Sequence, residues 1–276
     1  MLGDPNQLPP IIKNSVIQNT ANMQQSLFNR LIRLGAPIIE FDHQGRCRQS
    51  ILDLFKNNYK NLTSLPDVTK NEYLNANIGF LHEFQFIDNM LSKEISPNPH
   101  FYQNLEEAEF IVSTYMYMIL MGIKPHQITI LTVYNGQKFL LRDIIHRKCS
   151  WSSVFKRPKK ITTVDKYQGQ QNDYILLSLV RTQNVGHIRD PRRLIVALSR
   201  ARLGLYVFGR FNLFKGFNEL KDIFNLFAKK PLELELLPDE REIRKIGERS
   251  KSGVRKVKCS GEMYKIVEGL LKRRDI

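Results

Sequence analysis

Apolar and polar positions fall into blocks along this 276-residue chain. Four short runs, Ile128–Val133, Ile161–Val164, Tyr174–Val180 and Leu203–Phe208, are almost wholly apolar and rich in β-branched and aromatic side chains. Runs of that length and composition read as strands buried on both faces. Helical periodicity lies before and between them. Glu106–Met121 predicts a long helix, entered from a loop over Pro97–Asn104. Gly136–Arg147 predicts a second, with Phe139, Leu140, Ile144 and Ile145 as its apolar side. Asp190–Arg202 predicts a third, with Leu194, Ala197, Leu198 and Ala201 on one face. Strands alternating with helices, and apolar on both sides, predict an α/β fold with a parallel sheet covered on both faces.

The flanks read differently. Met1–Pro10 is a loop ending in two prolines. Ser26–Leu34 predicts a helix stopped by Gly35, and Pro37–Phe41 a short strand. Ile78–Ile87 fits either a β-hairpin or a pair of strands. After about Lys229 the composition changes. "PLELELLPDE" alternates, and from Asp239 onward twelve Lys/Arg stand against seven Asp/Glu. That segment reads as a basic tail, helical in part and disordered in part.

Composition narrows the classes. No apolar run approaches the ~18 residues of a membrane span, and the N-terminus lacks a basic-then-apolar leader pattern. Cys47, Cys149 and Cys259 are far apart and make neither a metal-ligand pair nor a disulfide framework. The formal net charge of +15 favours an acidic partner, most simply nucleic acid.

Ligands of open α/β sheets collect at strand ends, and three polar clusters lie beside the predicted strands: "TVYNGQ" (132–137), "TVDKYQGQQND" (163–173) and "RDPRRLIVALSRAR" (189–202). Together they are expected to bring glutamine, arginine, threonine and an acid to one rim. Arg193 and Arg200, seven apart, would share a helix face opposite its apolar stripe. Their planar, permanently charged forks suit phosphate.

With "GDPNQLPP" (3–10) and "QGRCR" (44–48), these clusters occur in the order of motifs III to VI of superfamily 1 helicases, and the chain resembles the up-frameshift and Dna2/Nam7-like branch. "NMQQSLFNRLIRLGAP", "PNPHFYQNLEEAEF" and "YNGQKFLLRDIIHRKC" are similar to the intron-binding spliceosomal members of that branch, to about Pro238. The resemblance implies a RecA-like second helicase lobe over 37–228, the end of the first lobe and a connecting helix over 1–36, and a charged tail over 229–276. It implies ATP with Mg2+ in a cleft between two lobes, RNA (a pre-mRNA intron) and spliceosomal proteins as partners, and work in the nucleus. Gln7 matches a γ-phosphate-sensing glutamine, and Arg46 and Arg200 match arginine fingers. Gln44, Gln168, Gly169, Gln171 and Arg193 fall on the nucleotide side. Thr132, Tyr134 and Thr163 stand where the family contacts the nucleic-acid backbone.

Three positions depart from the branch: Gly45 where tyrosine is usual, Gln171 where glutamate is usual, and Val133 where proline is common. The chain holds no G-x-x-x-x-G-K-[ST] loop and no strand ending in a Walker B-type acidic pair. It begins inside motif III, so it is expected to be a piece of a longer helicase, inactive towards ATP alone. A non-catalytic RNA-binding or scaffold module is the alternative.

Overall fold

The computed structural model describes residues 1–10, 12, 16, 20, 25–150, 152–249 and 252–273. Five strands form its centre: β1 (Phe84–Asp88), β2 (Ile128–Thr132), β3 (Lys160–Thr163), β4 (Asn172–Ser178) and β5 (Ala201–Gly209). They lie in the order β1-β5-β4-β2-β3, and every pairing is parallel. This is the RecA-like sheet that the resemblance implies.

The strands are largely buried because both faces are covered, and the polar side chains they carry, among them Gln85, Thr129, Thr132 and Ser178, are buried with them. Side chains alternate between the faces with a period of two. Ile130, Leu176 and Phe208 enter one core, packed by α1 (Leu105–Leu120), α2 (Asn135–Cys149) and α6 (Ser260–Lys272). Leu131, Leu177 and Val207 enter the other, packed by α3 (Pro191–Leu198), α4 (Phe211–Lys215), α5 (Lys221–Phe227) and a short turn of helix over Gln49–Leu52. An aromatic cluster of Phe86, Phe211, Phe224 and Phe227 fills the second core beside β1.

The helix expected near Ser26 is Leu27–Arg33, with the Ser26 hydroxyl accepting from the Asn29 amide and Leu34 as its C-cap. Gly35 follows at φ +77°, a left-handed end that favours glycine. The strand expected over Pro37–Phe41 is not formed. Those residues reach no sheet, and Ile39 is 91% exposed. Pairing falls instead at His43–Gln44 with Thr63–Ser64. The loop expected over Pro97–Asn104 is largely an antiparallel hairpin, Glu94–Asn98 with Phe101–Asn104. Ile78–Ile87 yields one sheet strand, β1, and an isolated bridge from Phe80 to Leu236.

The charged C-terminal segment joins this core. Leu234–Leu236 pairs antiparallel with Arg255–Val257, and α6 lies along α1. Leu234, Leu236, Val257, Met263, Val267 and Leu270 are buried there. Residues 250, 251 and 274–276 of the expected tail lie outside the described residues.

At the carboxyl end of β4 the chain makes a strained turn. Val180 sits at φ +71°, and the Arg181 amide donates to the Leu179 carbonyl across it. This is a γ-turn in the uncommon sense, costly for a β-branched residue. Two buried groups hold it. Glu107, in the first turn of α1, accepts from the Val180 amide at 2.9 Å and from the Ser178 hydroxyl at 2.5 Å. Asn104, the N-cap of α1, donates to the Val180 carbonyl at 3.0 Å. Burial pushes the Glu107 carboxyl up from 4.5 to about 7 against the opposing pull of those bonds, and its second oxygen has no partner.

Two outcomes follow from this packing. Leu236→Ala should destabilise the chain by about 2–5 kcal/mol, the cost of a cavity in a closed core, read as a fall in the urea midpoint at unchanged slope. A change near zero would show the C-terminal segment to be peripheral. Glu107 binds its proton more tightly folded than unfolded, so stability should fall as pH rises from 4.5 to about 7. The loss should reach at most about 3 kcal/mol at 1.36 kcal/mol per pKa unit. In Glu107→Gln that fall should disappear from the midpoint-against-pH curve, whereas an unaltered curve would show that Glu107 is not its source.

Candidate nucleotide cleft and nucleic-acid edge

The strand register divides the candidate residues between two edges of the sheet. Thr132 pairs with both Thr163 and Ser178, so the carboxyl ends of β2, β3 and β4 coincide. Asn172 pairs with Ala201, and Tyr174 with Ile128, at the amino ends. Residues 164–171 must therefore travel back along the whole of β4, roughly 20 Å at ~3.3 Å per residue. This crossover lies on the second core, with Val164 and Tyr167 buried in it. Its start is at the carboxyl edge and its end, Gln171, at the amino edge. The single rim expected from the sequence is thus two rims joined by one crossover.

At the amino edge, Asp4, Gln7, Gln44, Arg46, Tyr59, Gln171 and Ser199 line a cleft of about 420 Å³, within the range of small-molecule sites. Arg46 is placed by its neighbours. The Gln44 side-chain carbonyl accepts from the Arg46 and Cys47 amides at 2.8 and 2.9 Å, while its amide nitrogen donates to the Cys47 carbonyl at 2.7 Å. The Arg46 guanidinium then reaches across the sheet's edge, donating through Nε to Gln171 Oε1 at 2.7 Å and through Nη1 to the Ser199 carbonyl at 3.0 Å.

Arg200 lies behind this layer, 1% exposed. Helix α3 ends at Leu198 with Ser199 as its C-cap, so Arg200 is not on the helix and shares no face with Arg193. The chain leaves the helix there because Ala201 is already paired to Asn172 in the sheet. Arg200 Nε donates to the Val196 carbonyl at 2.9 Å, Nη1 to the Gln170 carbonyl at 3.2 Å and Nη2 to the Ser199 hydroxyl at 2.7 Å. None of these acceptors is charged. Burial, then the neighbouring Arg46 charge, pushes its pKa down to about 10, so it remains a cation at neutral pH. Burial likewise pushes the adjacent Cys47 thiol up to about 12, which keeps it protonated and unreactive.

Gln7 faces the same cleft and donates to Asp4 Oδ2 at 2.7 Å, as does the Tyr59 hydroxyl at 2.8 Å. Asp4 and Tyr59 were not singled out by sequence reasoning. Asp4 lies within the "GDPNQ" stretch and could have been; Tyr59 belongs to no motif. Gln168 and Gly169 are exposed in the crossover and are not among the residues lining the cleft. Arg193 is at the opposite edge, donating to Asp165 Oδ1 at 3.2 Å and to the His187 carbonyl at 3.1 Å.

The donor set suits a phosphorylated ligand: the Arg46 guanidinium lines the cleft, its Nη2 in neither the Gln171 nor the Ser199 bond, and the Arg200 charge lies behind it. It does not suit a bare divalent cation. Among the described residues no group of three or more His, Cys, Asp or Glu could hold a metal ion, and Asp4 is engaged by Gln7 and Tyr59.

At the carboxyl edge Thr132, Tyr134 and Thr163 come together but are buried. The Tyr134 hydroxyl accepts from the His187 amide at 3.0 Å. Its ring packs against Tyr102 and His187. Gly186 passes so close that a Cβ there would stand 2.0 Å from the Tyr134 hydroxyl. Arg181, delivered by the strained Val180 turn, lies over Tyr102 and is paired with Glu94 of the hairpin at 2.9 Å. Exposed groups at this edge include Asn135, Phe139, Lys166, His187 and Arg189.

Comparison with known proteins agrees with this architecture. The model of the AAA domain family matches residues 23–212. The chain is 51% identical, over 97% of its length, to the RNA helicase aquarius of Mus musculus. It is 33% identical over 82% of its length to the pre-mRNA-splicing factor cwf11 of Schizosaccharomyces pombe. It is 32% identical over 76% to a regulator of nonsense transcripts 1 homolog of Arabidopsis thaliana. It spans only 18%, 18% and 17% of those three relatives. The parallel sheet, the ordered motifs and these matches together show that the chain belongs to the superfamily 1 helicases, as an RNA helicase-like domain of the AAA family.

Proposed function

We propose that this chain is the second lobe of an ATP-dependent RNA helicase that works on pre-mRNA in the nucleus, within the splicing machinery. The observation that carries the reading is the meeting of Gln7, Gln44, Arg46 and Gln171, distant in sequence, around one cleft, with the Arg200 charge buried behind Arg46. Nothing in a structural ion-pair network requires two adjacent guanidinium groups without a bonded carboxylate. A triphosphate does.

In this reading Arg46 contacts the transferring phosphoryl group, and Arg200 adds its charge from behind. Gln7 reports the γ-phosphate through the Asp4–Tyr59 pair, and a partner lobe cradles the remaining phosphates and the Mg2+ that accompanies them. Preorganised cations in a cleft stabilise charge that develops in the transition state without solvent reorganisation. Gln171 has a specific consequence. As a neutral acceptor it orients Arg46 without cancelling its charge, whereas a glutamate at the same place would form an ion pair with it. The crossover 164–171 carries the event to the other edge. Its Gln170 carbonyl is bonded to Arg200, and its Asp165 is bonded to Arg193 at the carboxyl edge, the RNA side in this reading. The splicing assignment rests on the likeness to the aquarius and cwf11 proteins, and the RNA assignment also on the +15 net charge.

The cleaner probe is Arg46, because Arg200 is buried and knits three segments together, so its truncation would also destabilise the lobe. Arg46→Ala in the full-length protein should lower RNA-stimulated ATP turnover by about 100-fold or more without shifting the melting temperature. Unchanged turnover, or no turnover in the wild type, would favour a non-catalytic RNA-binding module.

A further inference from the structure

Phe139 stands in the wrong place for its type. The sequence pattern assigns it to the buried stripe of α2, yet only Leu141, Ile144 and Ile145 of that helix's large apolar residues are fully buried, and Phe139 is 51% exposed. It is also not loose. Phe101 of the hairpin lies beside it, ring centroids 6.2 Å apart and 20° from parallel, and the Lys138 ammonium stands 4.5 Å from its ring centroid.

That arrangement is built from buried polar contacts. Gln137 and Asn104, both fully buried, exchange two bonds: the Asn104 amide donates to Gln137 Oε1 at 2.7 Å, and Gln137 Nε2 donates to the Asn104 carbonyl at 3.0 Å. Gln103 Nε2 donates to the Gly136 carbonyl at 3.2 Å. A Cβ on Gly136 would sit 2.6 Å from the Tyr102 carbonyl, so only glycine lets the hairpin lie this close to the first turn of α2. The result is a half-exposed aromatic ring at the carboxyl edge, flanked by a hairpin fixed against the first turn of α2.

Its surroundings are cationic. Burial, and after it the nearby charges of Arg142 and Lys166, lower the Lys138 pKa. Thr132, Tyr134 and Thr163, the positions expected to meet a nucleic-acid backbone, are buried, so a strand crossing this edge meets exposed neighbours instead. A rigid aromatic face beside a basic track is what binds unpaired bases without reading their identity. We propose that Phe139, braced by Phe101 and Lys138, is a stacking platform for one base of single-stranded RNA. This rests on the reading of the carboxyl edge as the RNA side and names the residue that grips there.

The test is fluorescence anisotropy of the full-length protein with a labelled oligouridine of about 12 nucleotides, alongside an oligomer of the same length carrying abasic sites. Phe139→Ala should weaken oligouridine binding about 5- to 100-fold, the effect of losing one stacked base. Phe139→Trp should restore it, and the abasic oligomer should not distinguish the wild type from Phe139→Ala. Thermal melting checks that both variants fold, which the exposure of Phe139 favours. Equal oligouridine affinity in wild type and Phe139→Ala would overturn the platform while leaving the RNA reading intact. No binding by the wild type would overturn both.

Discussion

One buried cation organises the amino edge of this sheet. Arg200 is held by the last turn of α3, by the crossover and by its neighbouring hydroxyl, three acceptors with no formal charge among them. A desolvated guanidinium normally recruits a carboxylate, because the loss of hydration is too costly otherwise. Here the dipoles of two carbonyls and a hydroxyl do part of that work, and the excess charge remains, next to a second cation. Asp4, across the cleft, offsets part of that charge, and in the proposed function a phosphorylated ligand in front of Arg46 supplies the rest.

The sheet then separates what the lobe does. The parallel register forces β4 to begin at the amino edge and end at the carboxyl edge, and the crossover that precedes it must run between the two. Charge chemistry gathers at one end of that run. At the other the strained Val180 turn, fixed by Glu107 and Asn104, presents Arg181 to Tyr102 and to Glu94 of the hairpin. Strain stored at such a turn is tolerated only where the surroundings over-determine it, and both holding groups are fully buried. The two ends differ in kind, one a pocket of converging donors, the other an aromatic and basic surface, yet one segment of chain touches both.

The sheet, its parallel sense and its covering helices were legible because strands buried on both faces leave short, mostly apolar runs between segments of helical period. The site was legible only in part. Arg46, Gln171 and Arg200 could be named from motif order, but the contact between Arg46 and Gln171 joins residues far apart in sequence, brought together by the pairing of Asn172 with Ala201 and by the Arg48 amide donating to the Arg202 carbonyl. Arg193 and Arg200 looked like neighbours on a helix because Leu194–Ala201 keeps a helical period. Pairing of Ala201 in the sheet overrides that period and sends them to opposite edges. Pro37–Phe41 looked like a strand because it is apolar, but it finds no partner strand among the described residues. In the C-terminal helix, Met263, Val267 and Leu270 are diluted by charged neighbours, so its docking on α1 could not be read from composition. Phe139 misled in the opposite sense: its side chain is apolar and its position is not buried.

The central claim is that the Arg200–crossover connection links nucleotide at one edge to RNA at the other. Its most direct test is the factor by which a saturating non-hydrolysable ATP analogue changes single-stranded RNA affinity in the full-length protein, compared between wild type and Arg200→Lys. Coupling between sites is typically about 5- to 150-fold. The account predicts a factor in that range for wild type and close to unity for Arg200→Lys, whose point charge cannot hold Val196, Gln170 and Ser199 together. An undiminished factor in Arg200→Lys would contradict it.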